Sequence, residues 1–575
     1  MKEKVNASAY IAGKIVDIVL LSFLYIWLAG GVTWHDHLWL KHGADPRRAA
    51  ILVAGLVLWK APKVSEGSWL LSLTKWFSRK LLSPVWRWVL LSCVIFWAML
   101  LGVAQTVALR FTMYDVGIFH QILWCLTHGF GFKSTISGAG NFLLDHFSPS
   151  LVLAAMIFQF LGASPISLAL MHPLFIFGGV AAWVYLAERL PKTSPELRQK
   201  FAACTLVFGL GFDSLWGNLR WGFHENSVAF LSFSWALALF LSEVELPPGV
   251  RRLRSLITLL LVLVAAGSKE TLLLSMGFFL FYWGMTRERK LNGRVQLKNI
   301  LEHPVTGFLF GLSVFLFGTF VFFEKLPHPA DKNYFARYYA YLGPSLTGLI
   351  KTILFTPIHA FHEFSKAIGF KELYLYFKTL FLPYLGIPLL AFLGSDWALF
   401  WVVVPAILSA ALSSYAPLRG SGFHYVLEIW PVFTALTLIG LSKLKSDYPH
   451  KAALFWAFLS ILALDQDPWN QVFEYTRGAP ELNDLRAEIL KIPPLASVAA
   501  DELTGPFLAG RPNVTRWPDL SSFENHCPQW LVLRAAPATG ILPSLCILSP
   551  PIYPGAGWVI YQVTNSYTPP SNSGS

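Results

Sequence analysis

Apolar runs of membrane-spanning length recur from Ile11 to about Leu464, and no other feature constrains this chain as strongly. In hydrocarbon no water is present to satisfy a backbone N–H or C=O, so such runs fold as helices whose hydrogen bonds close internally. With 55% hydrophobic and only 14% charged residues over 575 positions, the chain lacks the polar surface that a soluble protein of this length needs. Its 23 Trp and 19 Tyr suit anchoring at headgroup level. The net charge of +12 does not point to nucleic acid, because the Lys and Arg collect in short loops between apolar runs, as inner-leaflet loops require. The first run lacks a small-residue cleavage site and reads as an anchor rather than a cleavable signal.

Charge asymmetry orients the helices. About 13 spans are expected, with the N-terminus cytoplasmic and the C-terminus outside, at roughly 11–32, 47–60, 85–109, 166–188, 201–217, 226–242, 255–268, 271–285, 304–323, 374–393, 397–415, 423–441 and 452–465. The inside loops then gather Lys60 to Arg87, Arg189 to Lys200, Arg251 to Arg254, Arg287 to Arg294 and Lys443 to Lys451. Ser150–Gly162 is apolar but too short to span, and counting it would place Arg189–Lys200 outside; it is read as a juxtamembrane helix on the outer face. The outer loops carry the residues with chemistry: Arg110–Pro149, Leu215–Ser227, Ser268–Thr271, Glu324–Glu372 and Pro417–Tyr425.

After Asp465 no apolar run reaches span length, and short β-like runs appear at Ala496–Ala500, Trp530–Arg534 and Trp558–Val563, with a helical pattern over Asn483–Lys491. Residues 466–568 are therefore expected to form a small extracytoplasmic α/β domain, followed by a tail over 569–575 read as disordered or an expression remnant. Cys93, Cys125 and Cys204 read as packing residues, whereas Cys527 and Cys546 share the outer domain, where a disulfide can form. The chain has no CxxC, HExxH, GxxxxGK[ST] or strand-linked GxGxxG, which leaves zinc-protease, ATPase and dinucleotide readings without a motif. Asn513-Val-Thr515 matches a glycosylation sequon, a pattern common by chance.

Ionisable groups cluster at the mouths of these helices. Tyr114-Asp-Val-Gly-Ile-Phe-His-Gln121 follows a long apolar run, and its loop ends in Asp145-His-Phe-Ser-Pro149. Further along come Trp221-Gly-Phe-His-Glu225, Lys269-Glu270, Phe423-His-Tyr425 and Val498–Arg511. Charges beside a membrane bundle are costly and often mark a site. This ordered set, spanning roughly residues 85–535, resembles the bacterial membrane-protein family called domain of unknown function 2079. That family in turn looks like the GT-C superfamily of lipid-linked-sugar glycosyltransferases. The resemblance implies an all-α polytopic, GT-C-like core over 85–465 with an outer-face catalytic loop at 110–149, in the bacterial cytoplasmic membrane, working on a polyprenyl-phosphate-linked sugar donor. Residues 1–84 then form an accessory hairpin, two spans in addition to the single one that usually precedes this loop in the superfamily. His120 stands where the family more often has an acidic residue, which puts a second-carboxylate role there in doubt.

Transfer from such a donor needs a carboxylate to take the acceptor's proton and cations to hold the departing phosphate. Asp115 is the candidate base. Lys269, Arg337 and Arg419 are candidate phosphate partners, and the aromatic stretch Asn333–Tyr341 is a candidate cover. His120, Gln121, Asp145, His146, His224, Glu225, Glu270 and His424 complete the candidate substrate-binding set. Plainer readings stand beside each. Asp115 suits a helix cap, as do Asp145-His146 before Ser150–Gly162 and His224-Glu225 before the next span. Lys269 and Glu270 suit a mutual ion pair, and Asn333–Tyr341 an interfacial belt. Asp115, Asp145, His146, His224 and Glu225 are the right types for a divalent ion, but they come from separate loops without ligand spacing, so no cofactor is expected. A lipid or sugar transporter would suit intramembrane charges, although the halves show no internal repeat. A non-catalytic scaffold with membrane-complex partners is the third reading. The acceptor is not legible.

Overall fold

The computed structural model of the chain describes residues 79–138, 140–242, 247–288, 337–381, 397–419, 424–443, 482–519, 527–534, 546–555 and 557–565, with isolated positions at 33–34, 37–38, 76, 384, 453, 456, 472 and 475–476. The expected accessory hairpin, the expected spans 11–32, 47–60, 304–323 and 452–465, and the tail lie outside these residues apart from those isolated positions and 79–84.

The described helices are α1 Pro84–Val107, α2 Ile118–Thr127, α3 Leu151–Phe160, α4 Pro165–Glu188, α5 Pro195–Gly211, α6 Asp213–Trp221, α7 Glu225–Leu241, α8 Pro248–Ala266 and α9 Glu270–Glu288. They continue with α10 Leu346–Phe355, α11 Pro357–Ala367, α12 Phe370–Phe381, α13 Trp397–Phe400, α14 Val404–Leu412, α15 Trp430–Ser442, α16 Asn483–Lys491 and the single turn α17 Gly505–Leu508. Among the described residues α1 and α4 have the length and apolarity to cross a membrane, and α3, α7, the first part of α9 and α15 are shorter apolar helices.

Helix α4 forms the centre of the bundle. It packs against α1, α5 and α7, and 78% of its most apolar stretch is buried, against 44% for α1. The difference places α1 at the periphery, where Val85, Val89, Phe96 and Leu100 stay exposed. Two runs expected as single spans are broken. Residues 201–217 divide at Phe212, whose backbone is extended (φ −79°, ψ 106°), because Asp213 opens a new helix directly after Gly211. Residues 397–415 divide at 401–403, where Pro405 lies in the first turn of α14 and supplies no N–H to the helix before it. Stacked rings of Phe208, Trp456, Tyr384 and Trp430 fill the space around the first break.

One end of the bundle is closed by Arg87, which is 1% exposed. Its guanidinium bonds Glu188 at 2.6 and 3.2 Å, Gln199 Oε1 at 2.5 Å, and the carbonyls of Leu81 and Leu82 at 2.8 and 2.9 Å. These contacts join the start of α1 to the end of α4 and the start of α5. The candidate residues therefore sit at the other end, where α1 finishes and α7 and α9 begin.

Residues 498–565 contribute a sheet. Strands β1 Val498–Ala500, β2 Val514–Arg516, β3 Trp530–Leu533, β4 Cys546–Leu548, β5 Tyr553–Gly555 and β6 Trp558–Asn565 run in the order β2-β1-β3-β6-β4, with β5 also on β6. β1 lies parallel to β2 and β3 (Val498 opposite Val514 and Trp530), and β6 is antiparallel to β3 (Ile560 opposite Val532). The central strands are buried on both faces. Val498, Ala500 and Val532 face Leu485 and Ile489 of α16 together with Leu109, Met113 and Ile136, while Ala499, Leu531 and Leu533 face Cys527 and Val563. Cys527 is disulfide-bonded, and Cys93, Cys125 and Cys204 are free thiols. The sheet is thus bolted to the segment that carries Asp115.

Candidate active site

Asp115 sits in a single π-turn, Met113–Gly117, between α1 and α2. The cap of that turn is Thr112, whose hydroxyl accepts the Asp115 N–H at 3.2 Å and donates to the Asp115 carboxylate. Asp115 is therefore the capped residue and not the cap, and its Oδ1 remains available. The sheet region holds the turn through residues 502–516. Met113 N–H donates to Glu502 O at 2.8 Å, Tyr114 N–H to the Glu502 carboxylate at 3.2 Å, and Arg516 pairs with Glu502 at 3.1 Å while covering the Tyr114 ring. Gly505 permits the approach, since a Cβ there would lie 2.4 Å from the Met113 sulfur.

The loop between α6 and α7 supplies the opposite wall. Gly222 has φ +79°, and a Cβ on it would meet Val116 Cγ2 at 2.2 Å, so glycine is needed both for the backbone conformation and for the contact. This close approach seats His224 over the turn, with Nε2 3.6 Å from Asp115 Oδ1 and its ring edge-on to Phe119. His224 occupies the cap position of α7 but makes no capping bond. Glu225 and Glu270 are the first residues of α7 and α9, where the positive ends of the helix dipoles favour carboxylates.

Lys269 and Glu270 do not pair with each other, contrary to the plain reading of a tight hairpin. Lys269 Nζ lies 3.5 Å from Glu225 Oε1, 3.2 Å from Asn226 Oδ1 and 4.5 Å from the centre of the Tyr425 ring. Glu270 turns the other way, accepting from Phe147 N–H at 3.2 Å and facing His146 Nδ1 at 3.2 Å. His146 is therefore not a cap of α3, which starts at Ser150 through the Ser150 N–H to Gly267 O bond. Behind Lys269, Glu428 accepts both from Asn226 and from the Thr271 hydroxyl.

These groups line one cavity of about 340 Å³, walled by Tyr114, Asp115, Ile118, Phe119, Ser137, Phe142, Asp145, His146, His224, Glu225, Lys269, Arg337, Tyr338, Tyr415 and Tyr425. Five separate segments thus bring Asp115, Asp145, His146, His224, Glu225, Lys269 and Arg337 together. Tyr338 and Tyr415 contact at 5.5 Å on one side, and the neighbouring Tyr339 and Tyr341 anchor that stretch through hydroxyl bonds to Ser409 O and Leu412 O at 2.8 and 2.6 Å. Sequence reasoning did not single out Tyr114, Ser137, Phe142, Tyr415, Asn226 or Glu428. An acid within the apolar run around Glu428 was the one available signal among them.

The remaining candidates lie elsewhere. His120 is buried beside the sheet, its Nδ1 2.7 Å from Pro506 O and its ring against Phe158. Gln121 is saturated by protein. Its Oε1 accepts from Thr135 N, Ile136 N and Ser134 Oγ, and its Nε2 donates to Thr135 Oγ1 and Arg511 O. Arg419 is buried on the carbonyl of Ser413, and Glu270 reaches the cavity only through His146. The side chain of His424 lies outside the described residues.

Burial pushes the Asp115 carboxyl up, the Thr112 bond opposes this, and the Glu502 charge adds to the rise, for a result of about 6. Burial holds His224 well below its ordinary value, helped by His172, Lys269 and His146, so its ring is neutral at pH 7. His120 is likewise pushed down to about 4 by burial. At His146 burial acts downward too, but the Glu270 carboxylate, with Asp145 and Glu225, outweighs it and holds the ring up to about 9. At neutral pH the cavity therefore presents a poised carboxylate and a neutral imidazole within 3.6 Å of each other, with a charged imidazolium in the same wall. Among the described residues no three His, Cys, Asp or Glu side chains converge in a way that holds a metal ion.

A helical membrane bundle with a polar cavity at one end, and a sheet packed on the turn that carries its carboxylate, is the class of protein these features define. The chain belongs to the family described as "Predicted membrane protein (DUF2079)", which it matches over residues 105–541. No curated protein matches it. Among solved structures it is similar to ArnT from Cupriavidus metallidurans bound to undecaprenyl phosphate, with TM-score 0.46, 13% identity, and coverage of 83% of this chain and 98% of that one. The apo state of the same protein gives TM-score 0.45 at 13% identity, with the same coverage. The Archaeoglobus fulgidus oligosaccharyltransferase in its apo form gives TM-score 0.38 at 12% identity, over 75% of this chain and 64% of that one.

Proposed function

We propose that this protein is a membrane glycosyltransferase that moves a sugar from a polyprenyl-phosphate-linked donor to an acceptor hydroxyl, on the outer face of the bacterial cytoplasmic membrane. The observation that carries the reading is the composition of the cavity of about 340 Å³. Asp115, whose Oδ1 lies 3.6 Å from His224 Nε2, shares it with Lys269, Arg337 and several tyrosines at the end of an apolar bundle. Flat rings stack on sugar faces, and cations bind phosphate without a nucleotide-binding fold.

In this reading Asp115 accepts the acceptor's proton as the anomeric carbon is attacked. A carboxyl poised at about 6 is ionised at neutral pH yet basic enough to take a proton in the transition state. Neutral His224 orients the carboxylate or the acceptor. Lys269, fixed by Asn226 and Glu225, and Arg337 neutralise the departing phosphate. The tyrosines exclude water, which would otherwise compete as acceptor.

The test is Asp115→Asn. It keeps the size of the side chain and its contact with Thr112, and removes the proton acceptor. With lipid-linked sugars extracted from the native envelope as donors, the purified variant is expected to insert and fold normally and to lose at least ~100-fold of transfer rate. Near-native transfer would remove Asp115 as the base. Facilitated passage of the lipid-linked sugar across vesicles, with no transfer by the native protein, would replace the enzyme with a transporter.

A further inference from the structure

The mechanism above leaves one ionisable pair of the cavity unused. Glu270 is 5% exposed and gives its two oxygens to two donors of the neighbouring loop, the Phe147 N–H and His146 Nδ1, each at 3.2 Å. This fixes the imidazole from behind, against the Phe142 ring at 5.5 Å, and leaves Nε2–H as the donor the ring has to offer, in a side chain that lines the cavity. We propose that His146, locked on Glu270, donates its second ring N–H to the phosphate oxygen released from the lipid-linked donor. The proposal rests on the glycosyl-transfer reading and assigns a residue that the reading does not require.

The charge balance gives the reason. As the acceptor oxygen bonds to the anomeric carbon, the bond from that carbon to the phosphate oxygen breaks and its electron pair passes to the phosphate. The acceptor's proton goes to Asp115. The phosphate thus changes from a singly charged diester to a doubly charged monoester, and a fixed positive donor stabilises the product side more than the substrate side. The ring keeps its proton throughout. A phosphate monoester has a second pKa of about 6, below the value of about 9 at which Glu270 holds His146. His146 therefore acts as a clamp and not as a general acid. The charged groups facing the ring are Glu270, Asp145 and Glu225 on the stabilising side, with Lys269 beyond Glu270, while His224 stays neutral.

Binding of undecaprenyl phosphate to the full-length protein in detergent, measured from pH 7.5 to 10, tests the assignment. Native affinity is expected to fall as pH rises through about 9, where the imidazolium is lost. His146→Gln should bind about 10–100-fold more weakly at pH 7.5 and lack that step. Glu270→Gln should move the step to lower pH, because burial then acts on the ring without its counter-charge. His146→Lys should recover affinity and move the step upward. If His146→Gln binds as tightly as the native protein, or retains the step, the assignment fails while the transfer reading stands. If His146→Gln does not fold, the Glu270→Gln step decides alone, and an unmoved step overturns the assignment. No binding by the native protein sinks the lipid-phosphate reading, and this inference with it.

Discussion

The two ends of the bundle each bury an ion pair, and they use charge in opposite ways. Arg87 has five N–H donors and makes five hydrogen bonds, to Glu188, Gln199 and two carbonyls. Nothing is left to offer. At the other end Lys269 stands 3.5 Å from Glu225, and Glu225 Oε2 is buried with no hydrogen-bond partner among the described residues. Both pairs are nearly inaccessible, so burial does not separate them. What separates them is bonding capacity: a charge exhausted within the protein is architecture, and one with capacity in hand is open to a ligand.

The comparison can be broken by mutation. Arg87→Met strips the main partner from a saturated pair and leaves Glu188 with the partly exposed Arg189. It is expected to cost about 3–5 kcal/mol of stability, read as an earlier unfolding transition in detergent, while the folded fraction keeps its specific activity. Lys269→Met also removes a partner from a buried carboxylate, Glu225, but here the folded fraction itself should lose about 10²–10³-fold of transfer. If the folded fractions of both variants keep, or both lose, their specific activity, the distinction between the two ends is lost. Gln121→Ala sits between them. It leaves the Thr135 and Ile136 N–H groups without their acceptor and should cost about 1–3 kcal/mol, localised as faster hydrogen exchange over residues 498–516. The smallest effect belongs to Glu502→Gln. The base works as a carboxylate with a raised pKa, so native activity is expected to fall as pH drops through about 6. Removing the negative neighbour favours the ionised carboxyl and should move that acid limb to lower pH, measured as the pH profile of transfer. A limb unmoved by the variant would detach Glu502 from the base.

Much of the site was legible because its residues break a strong pattern. Asp115, His146, His224, Glu225 and Lys269 interrupt apolar runs at their ends, where a charge beside a membrane bundle is costly. That they share one cavity rests on four separate segments meeting, and no local spacing encodes this. His120 and Gln121 show the converse error. They lie in the same motif as Asp115 and were read as binding groups, yet their partners are Pro506 O and Arg511 O, 386 and 390 positions away. A polar side chain that docks a distant domain looks, in sequence, like one that docks a substrate. Tyr415 was hidden for another reason: among 19 tyrosines in a membrane chain, interfacial anchoring is the default reading. The break at Phe212 was missed because apolarity continues through it, and only the Gly211–Asp213 boundary marks the new helix.

The Tyr114–Glu502 hydrogen bond joins residues 388 positions apart, and that separation sets a schedule. At synthesis rates of about 5–20 residues per second, the strap follows the turn from the ribosome after roughly 20–80 s. During that interval α1, which leads into the turn, is already made and the turn lacks its contacts with Glu502. The turn that carries Asp115 is therefore among the last parts of the cavity wall to gain its full set of contacts. Under the proposed reading, a chain cut before Glu502 is expected to show no transfer.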